Sequence, residues 1–250
     1  MALPSFPAVP TLPALAAADL AAVPRAVVRE ALDGDGRTAV RASFLGDLAH
    51  GPMQVFSAAG TPAMEAHYQA GLPHGAMRLF DERGQLLQET QRLGGLAEGV
   101  TRGYYPSGKL MQTQQHVHGT LHGEAVTYAE SGDVTARLRY VAGRLDGEAS
   151  YFHEARLVRR EHYRAGLLEG EVRDHLPGGG MAQSSTFVAN VLHGPLRRFW
   201  PNGQLMEEIS YRQGKPYGTP RRFDDAGHEL VQATANPGFM KSLEKLVRGA

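Results

Sequence analysis

A glycine returns every 24 residues along most of this chain, and that period confines it to a repeat architecture built from one small unit. The glycines stand at Gly51, Gly75, Gly99, Gly123, Gly147, Gly170, Gly194 and Gly218, with a single interval of 23 where the fifth unit has lost a residue. Five places after each comes Phe56, Phe80, Tyr104, Tyr128, Phe152, His175, Phe199 or Phe223. Nine places after comes a second glycine, as at Gly84, Gly108 and Gly203. A column seventeen places on is mostly aromatic, with Tyr68, Tyr140, Phe187 and Tyr211, and Tyr163 in the shortened unit. Another glycine follows that column by three residues, or Asn190 in the sixth unit. Gly36 and Phe44 mark a partial unit ahead of the first complete one.

The unit reads as a β-hairpin. The segment Phe199-Trp200-Pro201-Asn202-Gly203-Gln204-Leu205 places an aromatic strand end before a short loop whose glycine takes positive φ. The second strand alternates at period two: Val134, Ala136, Leu138 and Tyr140 share one face, Thr135, Arg137 and Arg139 the other. A lone hairpin is unstable, so neighbours pair edge to edge. Each unit then advances the sheet by roughly 10 Å, and eight units by roughly 75 Å. The expected fold is all-β: an elongated single-layer antiparallel meander of about eight β-hairpin repeats, twisted and with an aromatic-lined face, over residues 33–235. Residues 1–32 read as a Pro/Ala-rich arm, with Pro4, Pro7, Pro10 and Pro13. Residues 236–250 read as a short capping helix. There Asn236-Pro237 is the start signal, and Phe239, Leu243, Leu246 and Val247 lie on one face.

Composition removes whole classes of function. Lys+Arg number 26 and Asp+Glu 26, so no bulk charge draws the chain to nucleic acid. No cysteine is present for disulfides, thiolate metal sites or nucleophilic catalysis. No run reaches the ~20 apolar residues of a membrane span. The first 24 residues lack both the basic start and the unbroken apolar core of a secretory signal, so a cytoplasmic location is expected.

Candidate chemistry is sparse. His50, His74, His122 and His193 precede unit glycines, and Glu98, Asp146 and Glu169 fill the same column. Equivalent sites in adjacent units stand ~10 Å apart, too far for ligands that must each lie ~2 Å from one zinc ion. The column therefore reads as a polar turn position, and neither metal nor cofactor is expected. His153, Glu154, Glu161 and His162 cluster in the irregular fifth unit, where one strand pair is expected to bring the two histidines near each other. No nucleophile or phosphate-binding loop accompanies them, so no catalytic residue and no enzymatic activity is assigned.

The arginines are the more informative column. Arg78, Arg102, Arg173, Arg197 and Arg221 each stand three places after a unit glycine, on the face of the aromatic two residues later. Stacking on aromatics and pairing with acids such as Glu207 is one role for them. The other is a series of guanidinium groups offered to an acidic protein surface or to phosphates. The candidate partner-binding residues are accordingly Arg78, Arg102, Tyr104, Tyr128, Arg173, Arg197, Phe199 and Arg221.

The unit Gly-x4-Phe/Tyr-x3-Gly-x-Leu-x5-Tyr-x2-Gly, best kept at Gly99 and Gly194, resembles the MORN-repeat variant of bacterial proteins that often carry the label of antitoxin. The resemblance covers about residues 33 to 230. It implies a hairpin-repeat scaffold that binds a protein partner, in some cases a toxin. The leading expectation is thus an immunity or antitoxin protein that occludes a cognate toxin. The alternatives are a secretion-system effector adaptor or structural scaffold, and a peripheral binder of anionic lipid.

Overall fold

A computed structural model describes residues 25–230. The capping helix expected at 236–250 and residues 1–24 of the expected arm lie outside the described residues. Among those described there is no helix, and twenty strands form one antiparallel meander; where a bulge splits a strand, as into Leu96–Ala97 and Gly99–Tyr104, both pieces pair with the strand before them. No helix long and apolar enough to cross a membrane occurs among them. The sheet begins with Val27–Leu32, which pairs with Thr38–Leu45 and so takes in residues of the stretch read as the arm.

Two kinds of turn alternate. Within the unit at Gly99, strand Gly99–Tyr104 leads to Leu110–Val117. The Tyr105 N–H donates to the Lys109 carbonyl and the Gly108 N–H to the Tyr105 carbonyl, both at 2.8 Å, with Gly108 at φ 80. Between units the turn has two residues, both left-handed: Ala70 (φ 49) with Gly71 (φ 82), His118 (φ 49) with Gly119 (φ 79), Ala189 (φ 49) with Asn190 (φ 69). Two successive positive φ angles define the type I′ turn, whose twist matches that of paired strands. This explains the third glycine column and its Asn190 exception, since asparagine tolerates that conformation better than most residues.

The register slips once at the hairpin end of each unit, for example between Gly103 and Tyr104 and between Arg198 and Phe199. It slips again around the unit glycine, as between Leu121 and Ala125. These bulges leave the two aromatic columns on opposite faces. Glu65, Arg78 and Phe80 line one shallow groove, which places the first aromatic column on the arginine face. Tyr163 donates to Glu161 on the opposite face, where Glu161 stands across from Ala149. The sheet therefore has two aromatic-bearing faces where sequence alternation led us to expect one, because bulges change the parity that alternation assumes.

A single layer has little interior. The buried apolar residues are mostly small, as at Ala42, Ala66, Ala125 and Ala149, and Val172 is the largest fully buried side chain among the described residues. Cross-strand side-chain pairs and turn hydrogen bonds supply what a packed core supplies elsewhere. Tyr105 Oη, for instance, donates to the Tyr128 carbonyl at 2.7 Å and Trp200 Nε1 to the Phe223 carbonyl at 3.1 Å, each stapling one unit to the next.

The fifth unit lost its residue at the hairpin turn. His153 pairs with Arg156 around a two-residue turn in which Glu154 (φ 49) and Ala155 (φ 60) are both left-handed without glycine. A non-glycine residue there costs roughly 1–2 kcal/mol, against which glycine's greater unfolded-state freedom takes back up to about 1. Ala155→Gly is therefore expected to raise unfolding stability by about 0.5–1 kcal/mol, measured by chemical denaturation. A loss of stability would show that this turn is not strained.

Candidate functional site

The strand register aligns the arginine column with a second column that the repeat pattern did not single out. Arg78 stands directly opposite Glu89, and Glu89 opposite Arg102. At the other end Arg197 stands opposite Glu208, and Glu208 opposite Arg221. The chain of direct cross-strand pairs runs unbroken from Glu30 and Arg41 at the first strand to Arg221 at the last. One straight ladder of side chains thus crosses one face of the sheet.

Ion pairs close the ladder. Arg78 and Arg102 approach Glu89 at 3.0 and 3.9 Å. Arg197 and Arg221 approach Glu208 at 2.6 and 3.9 Å, and Arg221 also meets Glu229 at 2.8 Å. Arg173 turns to Glu171 on its own strand at 2.6 Å. Arg137 and Arg160, on the same row, pair with Glu124 and Glu148 at 3.5 Å each. Stacking on the adjacent aromatic occurs at Arg221, whose guanidinium lies 5.1 Å from the Phe223 ring centroid. Elsewhere in the column, pairing with acids is what the structure shows. The arginines remain about half exposed, so each pair is worth no more than about 1 kcal/mol, and their outer faces stay open to a partner.

The first aromatic column borders the ladder on its hairpin-turn side, so Tyr104, Tyr128 and Phe199 lie on the arginine face, each partly exposed. Of the residues singled out from sequence, the structure brings together Arg78 with Arg102 through Glu89, and Arg197 with Arg221 through Glu208. The acids were missed because they stand eleven residues after the arginines, in a column shared with Thr113 and Ser184.

The column of histidines and acids before each unit glycine has a turn role. His50 Nδ1 and His122 Nδ1 accept from the N–H of Ala70 and Ala142 at 3.5 Å. Glu98, Asp146 and Glu169 accept from the N–H of His118, Ala165 and Ala189 at 2.8–3.0 Å. Each side chain therefore satisfies the first left-handed residue of the next inter-unit turn. Among the described residues no three of His, Asp and Glu converge as metal ligands would.

The expected meeting of His153 and His162 does not occur. His153 stands opposite Arg156 and His162 opposite Glu148, which separates them by several residues of strand. The fifth unit instead builds a network on the face away from the ladder. Glu161, 8 % exposed at its side chain, accepts from Arg159 Nε at 2.5 Å and Tyr163 Oη at 2.8 Å, and Arg159 also donates to Asp174 at 2.8 Å. Burial, and then the hydrogen bond to and charge of Glu161, push the Tyr163 phenol far above its usual range. The same face holds Glu207, 9 % exposed, between Arg198 at 2.9 Å and Arg222 at 3.0 Å.

Two measurements check these assignments. Glu207→Gln leaves two guanidinium groups sharing no carboxylate and is expected to cost about 2 kcal/mol of unfolding stability. Glu208→Gln, at a more open pair, is expected to cost about half that. Because the folded-state Tyr163 pKa is raised, its contribution is complete below the unfolded-state value of about 10 and is lost as pH rises toward the folded-state value. A phenolate absorbance titration is expected to show a late-ionising tyrosine that disappears in Tyr163→Phe.

Residues 97–118 and 192–213 match the family model of the MORN repeat variant. These segments hold the hairpins of the Gly99 and Gly194 units, with Arg102 and Tyr104 in one and Arg197 and Phe199 in the other. No curated protein matches the chain. Repeats of this kind indicate a scaffold that binds protein or membrane. The two matched segments are similar to the MORN repeat variant, and their strand register continues through the units between and around them.

Proposed function

We propose that the protein is a non-enzymatic scaffold whose ladder face binds a protein, and that this partner is a toxin or secreted effector held inactive by occlusion, as an immunity protein holds its target. The observation that supports the scaffold reading is the continuous row from Glu30 to Arg221. Its arginines are already held by ion pairs, so little of their rotamer entropy remains to be lost on binding. Beside the row, the aromatic column offers the residue types that anchor protein interfaces. Tyr104 and Phe199 are the central anchors of such a contact, and the half-exposed Arg102 and Arg197 give it orientation and salt dependence.

The test is co-purification of the untagged chain with its partner, and identification of that partner. A toxin whose activity falls on stoichiometric addition of this protein supports the immunity role. An effector that is delivered active makes the chain an adaptor and overturns it. Arg102→Ala and Arg197→Ala are then compared for melting temperature and partner affinity. Each is expected to lower affinity about tenfold or more if central, and stability by no more than about 1 kcal/mol. Stability lost with affinity unchanged would remove the ladder from the interface.

A further inference from the structure

The ladder face carries a second row, at the end of the strands where the units join. There the residue three places before a unit glycine stands directly opposite the last strand residue of the preceding unit. Leu96 faces Leu93, and Val191 faces Val188. All four are exposed large aliphatics, at 50, 52, 43 and 46 % respectively. The arrangement repeats in each unit, roughly every 10 Å along the sheet.

Its C-terminal half is also cationic. Arg144 faces Val141, Leu167 faces Arg164, and Lys215 faces Arg212. None of these four cations forms an ion pair with a carboxylate among the described residues, whereas every ladder arginine from Arg78 to Arg221 has one. Arg212 and Lys215 are like charges directly opposite each other, an unfavourable pairing unless an anion relieves it. The Arg212 guanidinium lies 4.4 Å from the Tyr217 ring centroid, which orients it without neutralising it.

We propose that the strip from Val141 to Lys215 is a docking surface for an acidic amphipathic α-helix of a protein partner. Charge complementarity selects the acidic flank. Secondary structure follows from hydrogen bonding, because the strip offers side chains and its strand and turn backbone is already paired. An extended peptide lying on it would leave its own N–H and C=O groups unmet against aliphatic residues, whereas a helix satisfies its own. Seven residues of helix rise about 10.5 Å, close to the spacing of about 9.6 Å between units, so one apolar residue per heptad falls on each unit. The chain's own 236–250 segment does not fit. It carries Lys241, Lys245 and Arg248 against Glu244, the same sign as the strip.

This inference rests on the scaffold reading only in taking the partner to be a protein. The probe is a labelled synthetic peptide of four heptads with leucine at two positions per heptad and glutamate on the flanks, titrated into the full chain. Saturable binding is expected, weakening at least about tenfold as salt rises from about 0.05 M to about 0.5 M. Arg164→Glu with Lys215→Glu is expected to weaken it at least about tenfold without lowering the melting temperature, since both side chains are exposed. Val188→Ser with Val191→Ser is expected to weaken it as well, and a peptide of equal charge with its leucines replaced by serine is expected to fail. No saturable binding at about 1 mM peptide, wild-type binding by the double glutamate variant, or capture of phosphatidylserine vesicles in place of the peptide would each overturn the proposal. The co-purified partner keeps the two readings apart. A partner lost with Arg197→Ala but retained with Arg164→Glu sinks the strip and leaves the ladder.

Discussion

The left-handed two-residue turn between units is the constraint on which everything else in this molecule depends. It has no slack: a pair of positive φ angles closes the chain back onto itself with a fixed register, and the turns at Ala70, His118, Ala142, Ala165 and Ala189 are each pinned by a side chain of the preceding unit. Seven repetitions with the same geometry convert a period in sequence into straight rows in space. The fifth unit shows how strictly this holds. It is one residue short, yet Arg137, Ser150, Arg160 and Arg173 still stand in direct succession across the sheet. The deletion fell in the hairpin turn at Glu154 and Ala155, the one place where a missing residue shifts no row.

Straight rows in turn explain how a single layer stands without a packed interior. With Val172 as the largest fully buried side chain among the described residues, the hydrophobic term that dominates in two-layer domains is small there. What replaces it is repetition of modest contacts between neighbours: ladder ion pairs, carboxylates on turn amides, and hydroxyl or indole donors onto the next unit's carbonyls. Each contributes on the order of 1 kcal/mol or less, and nearest-neighbour coupling lets them accumulate along the array. The few acids that are buried, Glu161 and Glu207, carry two partners each, as a desolvated carboxylate requires.

The fold was legible in the sequence because its period reports backbone geometry, and glycine is the residue that takes a left-handed turn at least cost, although Asn190 and the Glu154-Ala155 pair take it without glycine. Faces were less legible. Alternation assigns a face correctly only until a bulge, and this chain has a bulge at both ends of each unit, so the Tyr104 and Tyr163 columns part to opposite sides. The arginine column was visible, but its partners were not. Glu89 and Glu208 share their column with Thr113 and Ser184, and only strand pairing shows that the positions are one row. The exposed strip was invisible for a different reason. Leu96 and Leu93 look like core residues in a sequence, and only the arrangement of the described residues in a single sheet shows them exposed.

The two rows of the ladder face differ in charge, and under the proposed readings they would divide the labour of recognition. The ladder is close to neutral along its length, because its arginines are matched by acids on the row or beside it, so it offers shape, aromatic contact and directional donors rather than a field. The strip is the reverse, a run of aliphatics punctuated by Arg144, Arg164, Arg212 and Lys215, none of them matched by a carboxylate among the described residues. Unmatched surface charge sets encounter rate, whereas desolvated, pre-ordered contacts set residence time. A partner that engages both rows would therefore be drawn in by the strip and retained by the ladder, and the fixed distance between the rows would select for partners whose acidic and apolar features are spaced to match.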